Sequence, residues 1–403
     1  MKHLMVTVSM VLAATAFAGE AELKAKLPEI FAKSAEHYVA LDAAAKPLVT
    51  TGKDGQPTFP HGWNKWRTGK DEYDMRSVLW WTSGHTPGTM WYLYEATGDR
   101  RLLEPATRWT EMLEANKTAD TNHDLGFITY CSYGNARRIL KTDKYDAILK
   151  ETAATLSSRF NDSLGLIRSW GKKTEKKDFL VIPDNMMNLE LLEAVSKFSG
   201  EPRFAQVARS HAKVTMKHHF RPDGGAYHVL NYCQEDGRVQ EIRRGQGASC
   251  YTAWSRGQSW AIYGYTMMYR ETKDPSFLAF AQKLADYAIF HENMPSDGIP
   301  FWDYGAPGEE RDSSAGAVMA SGLVELSTYV AADKAKLYRA FAVKQLEALA
   351  SPAYYSEGNE IGHFLLKHGV GAKPNNSEVD TPLNYGDYYF VEGLLRFRAL
   401  AGK

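Results

Sequence analysis

Along most of this chain, apolar residues return every three or four positions and are interrupted by short polar turns, the period of helices that bury one face. The turns share a construction: Thr97-Gly98-Asp99, Thr142-Asp143-Lys144, Ser199-Gly200-Glu201, Lys273-Asp274-Pro275 and Ala331-Ala332-Asp333. Each joins a strongly apolar stretch, such as Met90 to Ala96 or Ala261 to Thr272, to one with charged positions, such as Arg101 to Glu114 or Phe277 to Phe290. Recurrence at roughly 45 to 75 residues marks stacked helical hairpins. Strict alternation is scarce, and only Gly225 to Tyr232 and Val239 to Ile242 read as extended. The pattern predicts an all-α chain whose hairpins, about six of them, close into a double ring with the more apolar helix of each pair inside.

In such a ring the segments leading into inner helices open on one end. Those segments carry the polar residues of interest. Pro183-Asp184 stands before the helix formers Asn185-Met186-Met187-Asn188-Leu189-Glu190, which places Asp184 at or near an N-cap, where its carboxylate can accept from free N–H groups. Asn122-His123-Asp124-Leu125-Gly126-Phe127 repeats the construction and puts Asp124 at the mouth of another apolar helix, with His123 placed to orient the loop. Two acids so placed can share a pocket. Trp80-Trp81-Thr82-Ser83-Gly84, Arg256 to Trp260, Asp312-Ser313-Ser314 and Asp387 fall at the same kind of position. Several helix N-termini aimed at one cavity favour an anionic ligand, and an acidic sugar suits them.

Composition narrows the function classes. Lys plus Arg (48) equals Asp plus Glu (48), and basic runs are short, which argues against nucleic acid and against a polybasic membrane surface. The 10 Trp, 22 Tyr and 17 Phe supply faces on which sugar rings stack. Trp80, Trp81, Trp254 and Trp260 lie beside polar turns and are the candidates for ligand contact; Trp63, Trp66, Trp91, Trp109, Trp170 and Trp302 are assigned to the core or its edge. Cys131, Cys233 and Cys250 lack zinc spacing and are expected as separate buried thiols, with one bridge the alternative. No metal or cofactor is expected: His218-His219 are adjacent, Asp312 and Asp387 stand alone, and there is no phosphate loop or nucleophile elbow. At the start, Lys2 and His3 precede the apolar run Leu4 to Val11 and then Ala16-Phe17-Ala18, so residues 1–18 read as a cleaved signal and residues 19–403 as one domain, periplasmic or secreted, without a membrane anchor. The oligomeric state is left open between monomer and dimer.

Four ordered motifs carry a resemblance. His123-Asp124-Leu125-Gly126-Phe127, Asp184-Asn185-Met186-Met187-Asn188, Trp254-Ser255-Arg256-Gly257-Gln258-Ser259-Trp260 and Tyr385-Gly386-Asp387-Tyr388-Tyr389 are similar to the unsaturated glucuronyl hydrolases of glycoside hydrolase family 88, in family order from about Trp80 to Arg398. The resemblance implies an (α/α)6 barrel and removal of a 4,5-unsaturated uronic acid from lyase-generated oligosaccharides by hydration of the C4=C5 enol ether. It implies Asp184 as the acid that then activates water, Asp124 as its charged partner, and His228, Gln246, Arg256 and Trp260 as substrate contacts. Buried arginine needs a carboxylate, so Arg256 has two readings: it holds the substrate, or it pairs with an acid of the ring. Before the last motif, Gly369 to Glu378 departs from the serine-rich sulfate motif of some members, and Lys373 in that loop is a candidate contact for the next sugar. The rivals are a rhamnogalacturonyl-type hydrolase on the same barrel, a lyase or epimerase on a helical toroid, and a periplasmic sugar-binding protein in which both acids are mere caps.

Overall fold

The computed structural model describes residues 2–402; the side chains of 2–18, 66 and 67 are outside the described residues, as therefore are the expected signal and the placement of Trp66. After α1 (Lys2–Ala45) and the one-turn α2 (Lys65–Thr68), helices alternate between an inner and an outer ring. The inner ones are α3 (His85–Thr97), a π-helix (Gly126–Gly134) running into α5 (Asn135–Leu140), α7 (Asn185–Ser199), α9 (Ser255–Thr272), α11 (Ser313–Leu326) and α13 (Asn384–Ala401). The outer ones are α4 (Leu103–Glu111), α6 (Asp146–Ser157), α8 (Pro202–His218), α10 (Pro275–Ile289), α12 (Ala332–Leu349) and α1. Inner neighbours touch in a closed circuit, α3 to the π-helix, to α7, to α9, to α11, to α13 and back to α3. This is the (α/α)6 barrel, with one difference from the expected set of hairpins: the sixth pair joins the last helix to the first.

The burial pattern explains the two rings. In α11 every residue from Ser313 to Val324 is buried, and its Ser, Ala and Gly residues let neighbours approach closely. In α8 burial falls on Phe204, Ala205, Val207, Ala208, His211, Ala212 and Thr215, a single helical stripe. A helix buried all round belongs inside, and one buried on a stripe belongs outside.

Strands are more numerous than expected, though short. β1 (Thr58–Trp63) pairs with β2 (Tyr73–Ser77), and β3 (Phe160–Asn161) with β4 (Leu166–Ile167), both antiparallel. The two expected extended pieces are β6 (Val229–Tyr232) and β7 (Val239–Arg243), and β5 (Leu180–Val181) completes their sheet on the far side of β6. Val181 opposite Leu230 fixes the register that brings Asp184, three residues past β5, alongside His228, the residue just before β6. The cysteines are all free; Cys131 is buried, but Cys233 and Cys250 are only partly so.

Candidate active site

Asp124 and Asp184 meet at one end of the barrel, held together by Asn188. Its side-chain oxygen accepts from the Phe127 N–H (2.9 Å) and its amide donates to the Asp184 carbonyl (3.4 Å), so one residue locks the two acid-bearing segments. Gly126 permits the approach: a Cβ there would lie 2.6 Å from the Asn188 Cα. The helix after Asp124 is a π-helix rather than the expected α-helix, a form that often accompanies functional sites. The capping expectation also fails. Asp184 sits at the N-cap position of α7 with helical dihedrals, and its side chain caps nothing; its buried Oδ2 has no hydrogen-bond partner among the described residues.

Burial governs the electrostatics. It pushes the Asp124 carboxyl up to about 8, with the Asp184 charge adding to the shift. Burial likewise raises Asp184 to about 7, opposed by Arg256 and the nearby Trp260 indole. The pair therefore keeps a proton near neutral pH, where an ordinary aspartic acid has lost it. His123 Nε2 lies 3.4 Å from Asp124, and burial lowers this histidine to about 3, so the contact is a dipole and not an ion pair.

His228 faces Asp184, Nε2 to Oδ2 3.8 Å, and burial and the Arg256 charge hold it neutral, near 3. The Gln246 N–H donates to its Nδ1 (2.7 Å), which leaves the ring proton on Nε2, toward Asp184. The ring lies 4.4 Å from that of Trp254, and the Arg256 guanidinium covers Trp254 at the same distance. Arg256 takes the second of its two readings: Nη1 donates to Asp312 Oδ2 (3.1 Å) and to the Val370 carbonyl, and Nη2 to the Gly371 carbonyl (2.6 Å). Asp312 also caps α11 through the Ser314 N–H (3.0 Å). Among the described residues Nε is the one Arg256 nitrogen without a partner, and the buried His228 Nε2, Trp260 Nε1 and Tyr385 hydroxyl also have none. Buried polar atoms are rarely left so, and their concentration beside two raised aspartates is the pattern of a site that waits for a polar ligand.

The other expected contacts divide. Trp81 packs against Tyr385 (4.9 Å between ring centres), with Phe127 linking Trp81 to the buried Trp260. Trp80 is exposed, with the Arg76 guanidinium 4.6 Å from its ring. Gln246 Nε2 donates to Gly371 O (2.8 Å). Lys373 is not a free contact: it pairs with Glu309 (2.6 Å) and Glu310 over the Trp302 ring. Trp170, assigned to the core or its edge, is exposed and bridges to Asn122 beside Asp124. Asp387 accepts from the Leu365 and Leu366 N–H groups and from Tyr38 (2.9 Å each), which fastens the segment leading to Val370 and Gly371.

Sequence reasoning missed a second polar group on the wall. His61, Asp74 and Glu378 bring possible ligand atoms within 4.8 Å of one another. Arg76 binds both acids, at 2.8 and 2.6 Å, so its guanidinium supplies the positive charge that a metal would bring. Burial pushes Glu378 up, yet His61, Arg76 and Arg256 outweigh it and hold its pKa at about 2.

Paired carboxyls with raised pKa values, one buried and one part-buried, with aromatic rings around them at the mouth of an (α/α)6 barrel, form a site suited to a carbohydrate hydrolase. The comparisons make the family specific. The family model for Glycosyl Hydrolase Family 88 matches residues 44–392, and the chain belongs to that family. It is 44% identical over 323 residues to an unsaturated glucuronyl hydrolase of Formosa agariphila, covering 78% of this chain and 79% of the relative. It is 32% identical to an unsaturated chondroitin disaccharide hydrolase of Streptococcus pyogenes serotype M1, over 92% of this chain and 95% of the relative. A crystal structure of an unsaturated glucuronyl hydrolase specific for heparin superposes with a TM-score of 0.84 at 40% identity, over 93% of this chain and 98% of that one.

Proposed function

We propose that the protein is a glycosidase that removes a 4,5-unsaturated uronic acid from the non-reducing end of oligosaccharides by hydrating the enol ether. The carrying observation is the Asp124 and Asp184 pair, Asp184 buried and Asp124 part-buried, both with pKa values raised into the neutral range. Asp184 delivers its proton to C4, and the positive charge that develops at C5 is met by water. The Asp184 carboxylate takes the proton that this water releases, so the acid is regenerated. The product carries a hydroxyl on C5 and is a hemiketal; its ring opens and the remaining sugar leaves. The neutral His228, with its proton on Nε2, donates to a ring oxygen beside Asp184, and the aromatic walls hold the ring.

A second assignment has a specific observation behind it. Asp124 is shifted further than Asp184 and would be the better proton store, with Asp184 the base. Rhamnogalacturonyl activity and a non-catalytic binding role are not favoured by the relatives above. The test is incubation with unsaturated disaccharides while the ultraviolet absorbance of the conjugated enol ether is followed. Loss of absorbance is expected; a rise on intact polymer would make the protein a lyase, and no change a binder. We further infer export, from the pattern over residues 1–18, and mature protein is expected to begin at Gly19 or within a few residues of it; recovery with Met1 intact would refute this.

A further inference from the structure

The stretch Gly171-Lys172-Lys173-Thr174-Glu175-Lys176-Lys177-Asp178 leaves the barrel beside one aspartate and returns to it at the other. Just before it, the Ser169 carbonyl accepts from the His123 N–H (2.9 Å) and Trp170 bridges to Asn122. Just after it, β5 leads to Asp184. Residues 171 to 177 are exposed. Lys173 pairs with Asp120 (2.6 Å) and Asp178 with Arg243 (3.1 Å). Among the described residues Lys172, Lys176 and Lys177 have no ion-pair partner. Glu175 takes the Lys177 N–H (2.7 Å) and is the one acid left among them.

A lysine run is ordinarily a solvated face. This one is built on a rigid and positively charged base. Arg168 donates to the carbonyls of Asp178 and Glu175 (2.9 Å for the latter) and to Gln234 Oε1 (3.1 Å). Arg159 donates to the carbonyls of Arg168 (2.9 Å), Gly171 (3.2 Å) and Asp120. Gln234 returns donors to the Glu175 and Lys176 carbonyls, and Gln240 to that of Lys177 (3.2 Å). Both guanidiniums are buried, and among the described residues neither has a carboxylate bonded to it. Burial and the neighbouring Arg168 charge lower Arg159 to about 10. With the loop's carbonyls tied inward, its lysine side chains are left to solvent, and the two guanidiniums beneath add to their field at the rim.

We propose that the loop at 172–177 extends the substrate site and binds anionic groups, sulfate or carboxylate, on sugars beyond the first one after the uronic acid. The inference rests on the hydrolase reading above and deepens it by naming a substrate class, longer polyanionic oligosaccharides. The exposed face of Trp170 at the root of the loop gives the sugar chain an apolar surface on its way out.

The test compares the wild type with the triple variant K172S/K176S/K177S on three unsaturated tetrasaccharides of equal length, whose added sugars are neutral, carboxylated or sulfated. On both anionic substrates the variant should raise KM about 5- to 10-fold and leave kcat unchanged, while KM on the neutral one moves less than about 2-fold; 0.5 M salt should abolish the wild-type preference. A rise on the sulfated substrate alone identifies sulfate as the ligand, and on the carboxylated one alone identifies carboxylate. Equal changes on all three, or none, would overturn the proposal. Affinity for saturated anionic tetrasaccharides, measured by calorimetry, is read in parallel. If wild type turns over no unsaturated substrate, the hydrolase reading fails, and this binding arm still decides the loop's role: an affinity lost in the variant supports it, an unchanged one refutes it.

Discussion

Replacing Asp184 by Asn tests the central assignment through two independent readouts. At pH 6 an ordinary aspartic acid retains its proton in under about 1% of molecules. With its pKa raised to about 7, Asp184 retains it in roughly nine-tenths of them. Burial thus enriches the acid form on the order of 100-fold, and the amide, which cannot cycle a proton, forfeits that and the proton transfer itself. The expected fall in kcat is at least about 100-fold, or about 2.7 kcal/mol of barrier, with substrate still bound. Stability should move the other way. A carboxyl whose folded pKa is raised contributes stability that is fully present below the unfolded value of 3.8 and is lost as pH rises through about 7. By the end of that window the wild type has lost on the order of 4 kcal/mol, an amount diminished by whatever relaxation the site allows. Asn carries no charge at any pH, so the variant should melt close to wild type near pH 4 and increasingly above it toward pH 8. Turnover is followed by enol-ether absorbance and stability by circular dichroism melts at pH 4, 6 and 8. Turnover within tenfold of wild type in a folded variant would transfer the acid role to Asp124, and a melting difference independent of pH would refute the burial argument.

Three further variants probe the surroundings. Asp124→Asn removes the neighbouring carboxyl, so kcat should fall severely, and the alkaline limb, to which Asp124 contributes near 8, should move down toward the Asp184 value of about 7; an unchanged pH profile would show that the acids do not communicate. Arg256→Ala leaves Asp312 buried without its partner and frees the Val370 and Gly371 carbonyls, at an expected loss of about 3–5 kcal/mol in stability and well over tenfold in kcat/KM; unaltered melting would refute the structural role of the pair. Gly126→Ala should part the two acid segments, because its Cβ would meet Asn188 backbone at 2.6 Å, and should lower kcat more than it raises KM; wild-type kinetics would mean that the contact relaxes freely.

The period of the apolar positions made the ring legible because burial all round and burial on a stripe leave different marks on a sequence. Asp124 and Asp184 were legible for a related reason: each precedes a long apolar helix, and acids at such junctions have few other places to go. Partnerships across the barrel were not. Arg256 and Asp312 are 56 positions apart, and nothing local distinguishes an arginine that awaits a ligand from one already satisfied. The same blindness hid the pairing of Lys373 with Glu309 and Glu310, and the cluster of His61, Asp74, Arg76 and Glu378, whose members come from a hairpin and a late loop. The degree of exposure of Trp170 was not legible, because it depends on which loop covers the ring, and the lysine loop beside it turns outward. Asn188 stood inside the recognised motif, but its bond to Phe127 N–H spans 61 residues and gives no local sign.

The pairing of α13 with α1 sets an order of assembly. Tyr38 reaches Asp387 across 349 positions, and Asp387 in turn holds the backbone that receives Arg256. During synthesis the earlier inner helices can associate as they appear, yet they form an open arc whose two free edges are apolar. Contacts of such sequence separation come late, because the intervening chain must be ordered first. A ribosome that has not yet released α13 therefore carries a chain with its wall incomplete and its arginine unsupported, inactive and exposed to misassociation. The aspartates are in place halfway through translation; the pocket that makes them acids is finished by the last helix.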